Sequence, residues 1–297
     1  MLNKRLQPRQ LVMTAYMLPS FLVYFGMLIV PLIMAVTFSF YKFSNIKNLK
    51  FVGLDNYKTL FADKYVWMSL KNNLFLIVVC LIGQIGIAFV LACFLNSRYI
   101  RFAGLHRTVM YFPVTLSAVV VGYIWSMVFD YQYGMIAYLL RALGYADIVK
   151  PWLGQSDTVM FFVCIPLIWQ YIGFHLVIIL SAMTSIDRSV YEMAEIDGAS
   201  GFRKAISITL PLIRNTLSVC VMLCISANMK VFDHIIAMTN GGPGYASSVL
   251  AVYTYKISFN EMNLGYGSAL SVCIFVVTAA IFLLSRLILS NKKGEIQ

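Results

Sequence analysis

Charge is what this sequence has least of. Only 12% of its 297 residues are Asp, Glu, Lys or Arg, about half the share carried by soluble domains, while 60% are hydrophobic and the mean hydropathy is +0.80. An ordinary water-soluble domain is excluded. Acid is the scarcer sign, with 12 Asp and Glu against 23 Lys and Arg. In a soluble protein the resulting +11 would point to nucleic acid. Here the basic residues form short clusters between long apolar runs, the pattern that orients an integral membrane protein. There is no GxxxxGK[ST] phosphate loop, so ATP binding in the P-loop manner is not expected of this chain. There is no HExxH, and His106, His175 and His234 are far apart, which argues against an intramembrane metalloprotease. None of the six cysteines has CxxC spacing, and Cys80, Cys93, Cys164, Cys220, Cys224 and Cys273 all lie in apolar runs. Cys220 and Cys224 would share a helix face, but with no His or carboxylate beside them they read as small buried apolar residues. No Pro-, Ser- or Gly-rich linker interrupts the chain, which reads as one domain over 1–297.

What is present is a series of long apolar stretches: Leu11–Tyr41, Asn72–Ser97, Thr108–Phe129, Thr158–Ile186 and Met262–Ser285. Each exceeds the roughly 20 residues that a helix needs to cross about 30 Å of hydrocarbon. Because lipid offers the backbone no hydrogen bonds, such segments are expected to be helices. A further stretch, Asn215–Met229, starts after Pro211 and reaches spanning length if apolar residues through Met238 continue it, with Lys230, Asp233 and His234 near its far end. The expectation is an all-α polytopic fold of six transmembrane helices with both termini on one side. Pro19 and Pro31 should kink the first helix. Its apolar run is much longer than the core of about 7–15 residues in a signal peptide and no small-residue cleavage site follows closely, so it is expected to be retained.

With the N-terminus inside, the inner segments hold 13 basic residues (Lys4, Arg5, Arg9, Arg98, Arg101, Arg107, Arg188, Arg203, Lys204, Arg214, Arg286, Lys292 and Lys293). The outer segments hold nine: Lys42, Lys47, Lys50, Lys58, Lys64, Lys71, Arg141, Lys150 and Lys256. The balance favours this orientation, although six of the nine sit in the first outer loop, against the positive-inside trend. That loop, about Lys42–Lys71, reads as a cap of turns with a short helix near Asp55–Phe61. Tyr133–Leu143 has helical apolar spacing and suits the bilayer surface.

The loop 183–214 stands apart, with four basic and four acidic residues (Asp187, Glu192, Glu195, Asp197) in a chain that otherwise avoids charge. Joining two helices needs no loop of this length. Val190, Met193 and Ala194 recur at helical spacing, so a short amphipathic helix is expected from about Arg188 to Asp197, stopped by Gly198. Ser200 would cap a second short helix ending before Leu210-Pro211. Small residues at Ala194, Gly198 and Ala199 would admit another protein's backbone. The alternative is an interfacial hairpin resting on lipid.

The order Glu192-Met193-Ala194, three residues, Gly198, nine residues, Ile208, one residue, Leu210-Pro211 resembles the EAA loop of permease subunits in binding-protein-dependent ABC importers. Met193 departs from the alanine usual there. Thr239-Asn-Gly-Gly-Pro-Gly244 and the later Gly265-Tyr-Gly-Ser-Ala-Leu270 are similar to the outer loop and last-helix start of carbohydrate-type permeases, although the first is also a plain glycine–proline turn. The resemblance covers about residues 11–290. It implies a cytoplasmic loop whose Tyr191, Glu192, Ala194, Asp197, Gly198, Ala199, Leu210 and Pro211 form a coupling helix that docks into an ATPase subunit. It also implies a homologous second permease, two ATPase subunits and an extracellular or periplasmic solute-binding protein as partners. ATP and Mg would then be bound by the ATPases, with no cofactor in this chain, which would sit in the cell (inner) membrane with both termini cytoplasmic.

Polar groups at membrane depth are costly and therefore functional candidates. Gln84, Trp125, Trp169, Gln170, Tyr171, His175, Asn228, Lys230 and Asp233 are such positions. Amides suit sugar hydroxyls and aromatic rings suit pyranose faces, which makes Trp169, Tyr171, Asn228, Lys230 and Asp233 the candidate pathway set. Trp169 and Tyr171 equally suit helix packing, and Lys230 and Asp233 could pair on one helix face. Alternatives to a sugar importer are an importer of another solute, an ion-coupled secondary transporter, which would need a charged mid-membrane site, or a membrane-embedded enzyme, for which no nucleophile–base set is present.

Overall fold

A computed structural model describes residues 10–45, 48–97, 100–199 and 201–290, and the chain divides by contacts into two compact units. Lys4, Arg5, Arg9, Lys47, Arg98, Lys292, Lys293 and the expected cap Ser200 lie outside the described residues.

The first unit comprises 1–62 and 254–273. Its long helix α1 (Val12–Phe38) carries Pro19 and passes through a wide turn at Phe25–Ile29 just before Pro31. Such π-turns accommodate a residue that cannot donate in the helical ladder. None of the apolar window of α1 is buried, so its surface must meet lipid or another protein. Beyond it the expected cap of turns also contains a short antiparallel pair, β1 (Tyr41–Lys42) with β2 (Lys50–Phe51). The helix α2 (Asp55–Ala62) follows, and the Asn56 amide donates to the carbonyls of Ser39 and Tyr41 at 2.8 and 2.9 Å. Gly265 lies against Tyr41 so closely that a Cβ there would overlap the Tyr41 carbonyl oxygen.

The second unit holds the core. It contains α3 (Lys64–Leu95), α4 (Ala103–Tyr111), α5 (Ala118–Val128), α6 (Met135–Ala142), α7 (Val159–Thr184), α8 (Arg188–Ile196), α9 (Gly201–Leu212), α10 (Arg214–Met229) and α11 (Asp233–Thr239). Leu76, Cys80, Val163, Leu167 and Cys224 are among one buried cluster, and Ala88, Leu176, Ile179 and Cys220 among another, so α7 is the hub. All six cysteines are free, and no group of three metal-ligating side chains occurs among the described residues. The last helix, α13, runs Leu264–Ser290, after a short α12 (Leu250–Tyr255).

Four helices are individually long and apolar enough to cross a membrane, and two bent pairs bring the number to six if each pair is one span. The bends are where the structure departs from the expectation of one continuous helix per apolar stretch. In the third stretch α4 runs into a tight turn at Phe112–Thr115, and α5 leaves at 96° after extended residues Leu116 and Ser117. Pro113, which lacks an N–H, sits in that turn. The fifth span gains its length on the opposite side from that expected: α10 stops at Met229, α11 is a separate helix, and α9 precedes α10 with a 79° bend at Ile213. The second loop helix therefore runs through Leu210-Pro211 to Leu212, with a π-turn at Ala205–Thr209 just before Pro211.

Close crossings are made at glycines. A Cβ at Gly173 on α7 would meet the Met110 carbonyl and come within 2.7 Å of the Tyr111 Cα of α4, while one at Gly104, on the same α4, would meet nothing within 4 Å. Gly173→Ala should therefore cost about 1–3 kcal/mol through overpacking. Gly104→Ala should be neutral or stabilising by up to about 1 kcal/mol through helix propensity. Thermal unfolding in detergent should shift down for Gly173→Ala and stay level or rise for Gly104→Ala.

Candidate functional site

The loop 183–214 folds as a braced hairpin. Asp187 caps α8, its Oδ1 accepting the Ser189 N–H at 2.9 Å, and that backbone bond holds its carboxyl below the ordinary 3.8. At the other end Gly198 adopts φ +76°, a left-handed conformation that penalises a Cβ. Gly198 N–H then bonds the Glu195 carbonyl at 3.1 Å and Ala199 N–H bonds the Ala194 carbonyl at 2.8 Å, the pair of bonds of a Schellman stop. From α9, Lys204 reaches back to Glu195 at 2.9 Å and lies 5.6 Å over the Tyr191 ring.

The structure thus gathers Tyr191, Glu192, Ala194, Asp197, Gly198 and Ala199 on one hairpin, while Leu210 and Pro211 lie at the far end of α9. Ala194 and Ala199 are buried and do not offer the close-approach surface expected of them. Only Gly198 is open, with nothing within 4 Å of a notional Cβ, so its requirement is one of backbone conformation. Glu192 pairs with Arg188 at 3.0 Å, both side chains largely exposed, where such a pair contributes little. Met193, Ile196 and Phe202 give the hairpin an exposed apolar crown.

The membrane polar residues are arranged around the breaks in the helices. Gln170 on α7 donates to the Leu116 carbonyl at 2.9 Å, at the 96° bend. Its Oε1 lies 2.6 Å from His234 Nε2, and since an amide oxygen only accepts, that nitrogen carries the proton. Gln84 donates to the Leu167 carbonyl at 3.0 Å. Asn73 donates to the Asn228 carbonyl near the end of α10 at 3.2 Å and accepts the Leu250 N–H at 2.8 Å, where α12 begins. Its neighbour Asn72 donates to the carbonyls of Ala246 and Ser248 at 2.9 and 2.8 Å. Asn72 and Asn73 were not singled out in the sequence; adjacent amides at the head of an apolar run are the signal that could have found them.

Of the candidate pathway residues, Asn228 is buried and its amide donates to the Cys224 carbonyl of its own helix at 2.8 Å. Trp169 is 40% exposed and meets Trp125 edge-on at 5.8 Å, and Tyr171 lies 6.4 Å from the His234 ring. Lys230 and Asp233 do not share a helix face: Lys230 ends α10, Asp233 opens α11, and no ion pair joins them among the described residues. The irregular link Lys230–Phe232 separates them. Tyr171 meets His234, and Trp169 instead meets Trp125 of α5, whereas Asn228 belongs to the packing of α10.

Residues 84–292 match the family described as the binding-protein-dependent transport system inner membrane component. The chain belongs to this family. Among the relatives of this permease, a probable ABC transporter permease protein of Pyrococcus horikoshii is 36% identical over 251 residues, covering 84% of this chain and 85% of its own. The diacetylchitobiose uptake system permease protein of Streptomyces coelicolor is 32% identical over 251 residues, covering 80% and 71%. The fold is that of a chain in the crystal structure of a bacterial ABC transporter that imports the acidic polysaccharide alginate, with a TM-score of 0.85, 23% identity and coverage of 96% and 97%. The permease is thus an inner-membrane transport component and not itself an enzyme in family terms.

The Gln170 contacts carry a direct expectation. Gln170→Leu leaves the Leu116 carbonyl and His234 without their partner in the membrane interior, a loss of about 1–3 kcal/mol for a buried orphan group. Lower thermal stability of the purified permease, with the amount inserted in membranes unchanged, is the expected reading.

Proposed function

We propose that this permease forms half of the translocation pathway of an ATP-driven importer for a sugar or oligosaccharide. The observation that carries the reading is the loop hairpin: a rigid, self-braced knob between two spans, with its apolar crown left open. Family membership supports transport with a solute-binding protein, and a relative named for diacetylchitobiose uptake supports a saccharide cargo.

In this reading the chain over 1–297 works as one permease domain with both termini cytoplasmic. It pairs with a homologous permease and two ATPase subunits, which bind the ATP and Mg, while an outer binding protein delivers the cargo. Tyr191, Glu192, Ala194, Asp197, Gly198, Ala199, Leu210 and Pro211 form the coupling element. Closure of the ATPase pair moves the hairpin as a unit and shifts the pathway between two openings, which a partner can do only by binding one state better. Trp169, Tyr171, Lys230 and Asp233 form the pathway, and Asn228 supports it through the packing of α10.

Because the Arg188–Glu192 pair is exposed, Glu192→Lys should leave the fold intact and act on the partner contact. Import and binding-protein-stimulated ATP hydrolysis are expected to fall together by about tenfold or more, equivalent to about 1.4 kcal/mol of coupling, with the complex still assembled. Gly198→Asn, which tolerates the left-handed conformation, should retain more activity than Gly198→Val. Unchanged transport in both Glu192→Lys and Gly198→Val would overturn the assignment.

A further inference from the structure

The loop after α1 carries a basic excess that the positive-inside trend opposes, and its folding sets that charge at the membrane edge. α1 has 27 residues, which at about 1.5 Å each span about 40 Å, close to the hydrocarbon and headgroup layers together at about 40–45 Å. The chain therefore leaves Phe38 at headgroup depth, and Lys42 follows four residues later. The short ribbon then brings Lys50 back beside it. Lys42 and Lys50 are direct cross-strand partners, both exposed, on one face of the ribbon. Cβ atoms so placed are about 4.5–5.5 Å apart, and like charges there repel. No ion pair relieves either lysine among the described residues.

α2 combines charge with apolar surface in the same way. Its buried positions are Asn56 and Leu60, and at about 100° per residue the direction opposite them is that of Lys58. Leu54, just before the helix, and Phe61, seven residues on, flank Lys58 on that face and are 60 and 66% exposed. Leu49 and Phe51 of the ribbon are exposed as well. Large apolar side chains interleaved with lysines at the end of a span have the composition of an interfacial anchor. The apolar groups enter the headgroup layer and the ammonium groups reach phosphate. Acid does little to offset the charge. Between Ser39 and Ala62 there are four lysines and one acid, Asp55, whose bond to Lys58 at 2.9 Å joins two exposed side chains. The segment 254–273 of the same unit adds one charge of each sign, Lys256 and Glu261.

We propose that this cap is a lipid-docking surface. Lys42 and Lys50 share the phosphate of an anionic phospholipid, while Leu54 and Phe61 sit among the headgroups with Lys58 between them. The inference needs only that α1 crosses the bilayer, and it stands whatever solute the permease carries. The occupant is lipid and not a protein surface because the paired lysines lie within a few residues of the end of the span, at the depth of the phosphates. A bound phosphate relieves the like charges on one rung of the ribbon. It also explains why lysines gather on the side where the positive-inside trend expects few.

The test uses the permease with its co-purifying subunits in nanodiscs of equal parts phosphatidylglycerol and phosphatidylcholine. The photoreactive residue p-benzoylphenylalanine replaces Leu54, Phe61 or Thr59 in turn, and the adducts formed on irradiation are identified by mass spectrometry. Lipid adducts are expected at 54 and 61 and few at 59, which is exposed on the other edge of α2. At 61 the phosphatidylglycerol adduct should exceed the phosphatidylcholine adduct. Lys42→Gln and Lys50→Gln should each lower that ratio about fivefold, the factor equivalent to about 1 kcal/mol for one lysine near an anionic surface. About 1 M salt, which shortens the Debye length to about 3 Å, should lower it too. Both lysines are exposed, so the yield of assembled complex should not change. Adducts to protein in place of lipid at 54 and 61 would assign the cap to a subunit interface and overturn the proposal. So would the absence of adducts at both positions, a parent ratio near one, or a ratio that neither lysine variant moves.

Discussion

A helix that breaks inside a bilayer leaves main-chain carbonyls and N–H groups with nothing to bond, and lipid supplies no substitute. This permease interrupts its helices at the 96° bend after Thr115 and at Lys230–Phe232, and starts a new one at Leu250. At each place a buried amide stands in for the missing turn. Gln170 takes the Leu116 carbonyl, and Asn73 takes both the Asn228 carbonyl and the Leu250 N–H. The bends depend on those substitutions, since an unbonded carbonyl buried away from water has no other partner.

The same logic explains what the sequence disclosed and what it concealed. Length and hydropathy located the apolar stretches, because a long uncharged run has one stable form in lipid. They said nothing of bends, which depend on a single Pro113 and on a partner amide more than fifty residues away. Gln84, Gln170 and Asn228 were noticeable because polar groups are rare at that depth. The expectation that Asn228 faces a solute treated cost as a sign of exposure to cargo, while in the structure its amide bonds its own helix. Asn72 and Asn73 were passed over as the edge of a run. A periodicity argument sees a helix from outside, and the groups that close its breaks are chosen in three dimensions.

The loop hairpin was more legible. Charge density, helical spacing and a glycine at the stop are all local signals, and α8 with its Schellman end follows from them. What could not be read was the brace from Lys204 to Glu195, a contact across the turn, or the burial of Ala194 and Ala199. The π-turn before Pro211 likewise escaped, since a proline at that point reads as a stop and not as a continuation.

The amide of Gln170 is shared by three separate parts of the chain: α7, which carries it, the bend at Leu116, and His234 at the start of α11. No one of these can drift alone in evolution. A hydrophobic replacement at 170 would need the chain straightened near 116 and the imidazole at 234 removed together. Among homologues, positions 170 and 234 should therefore change as a pair or remain as they are.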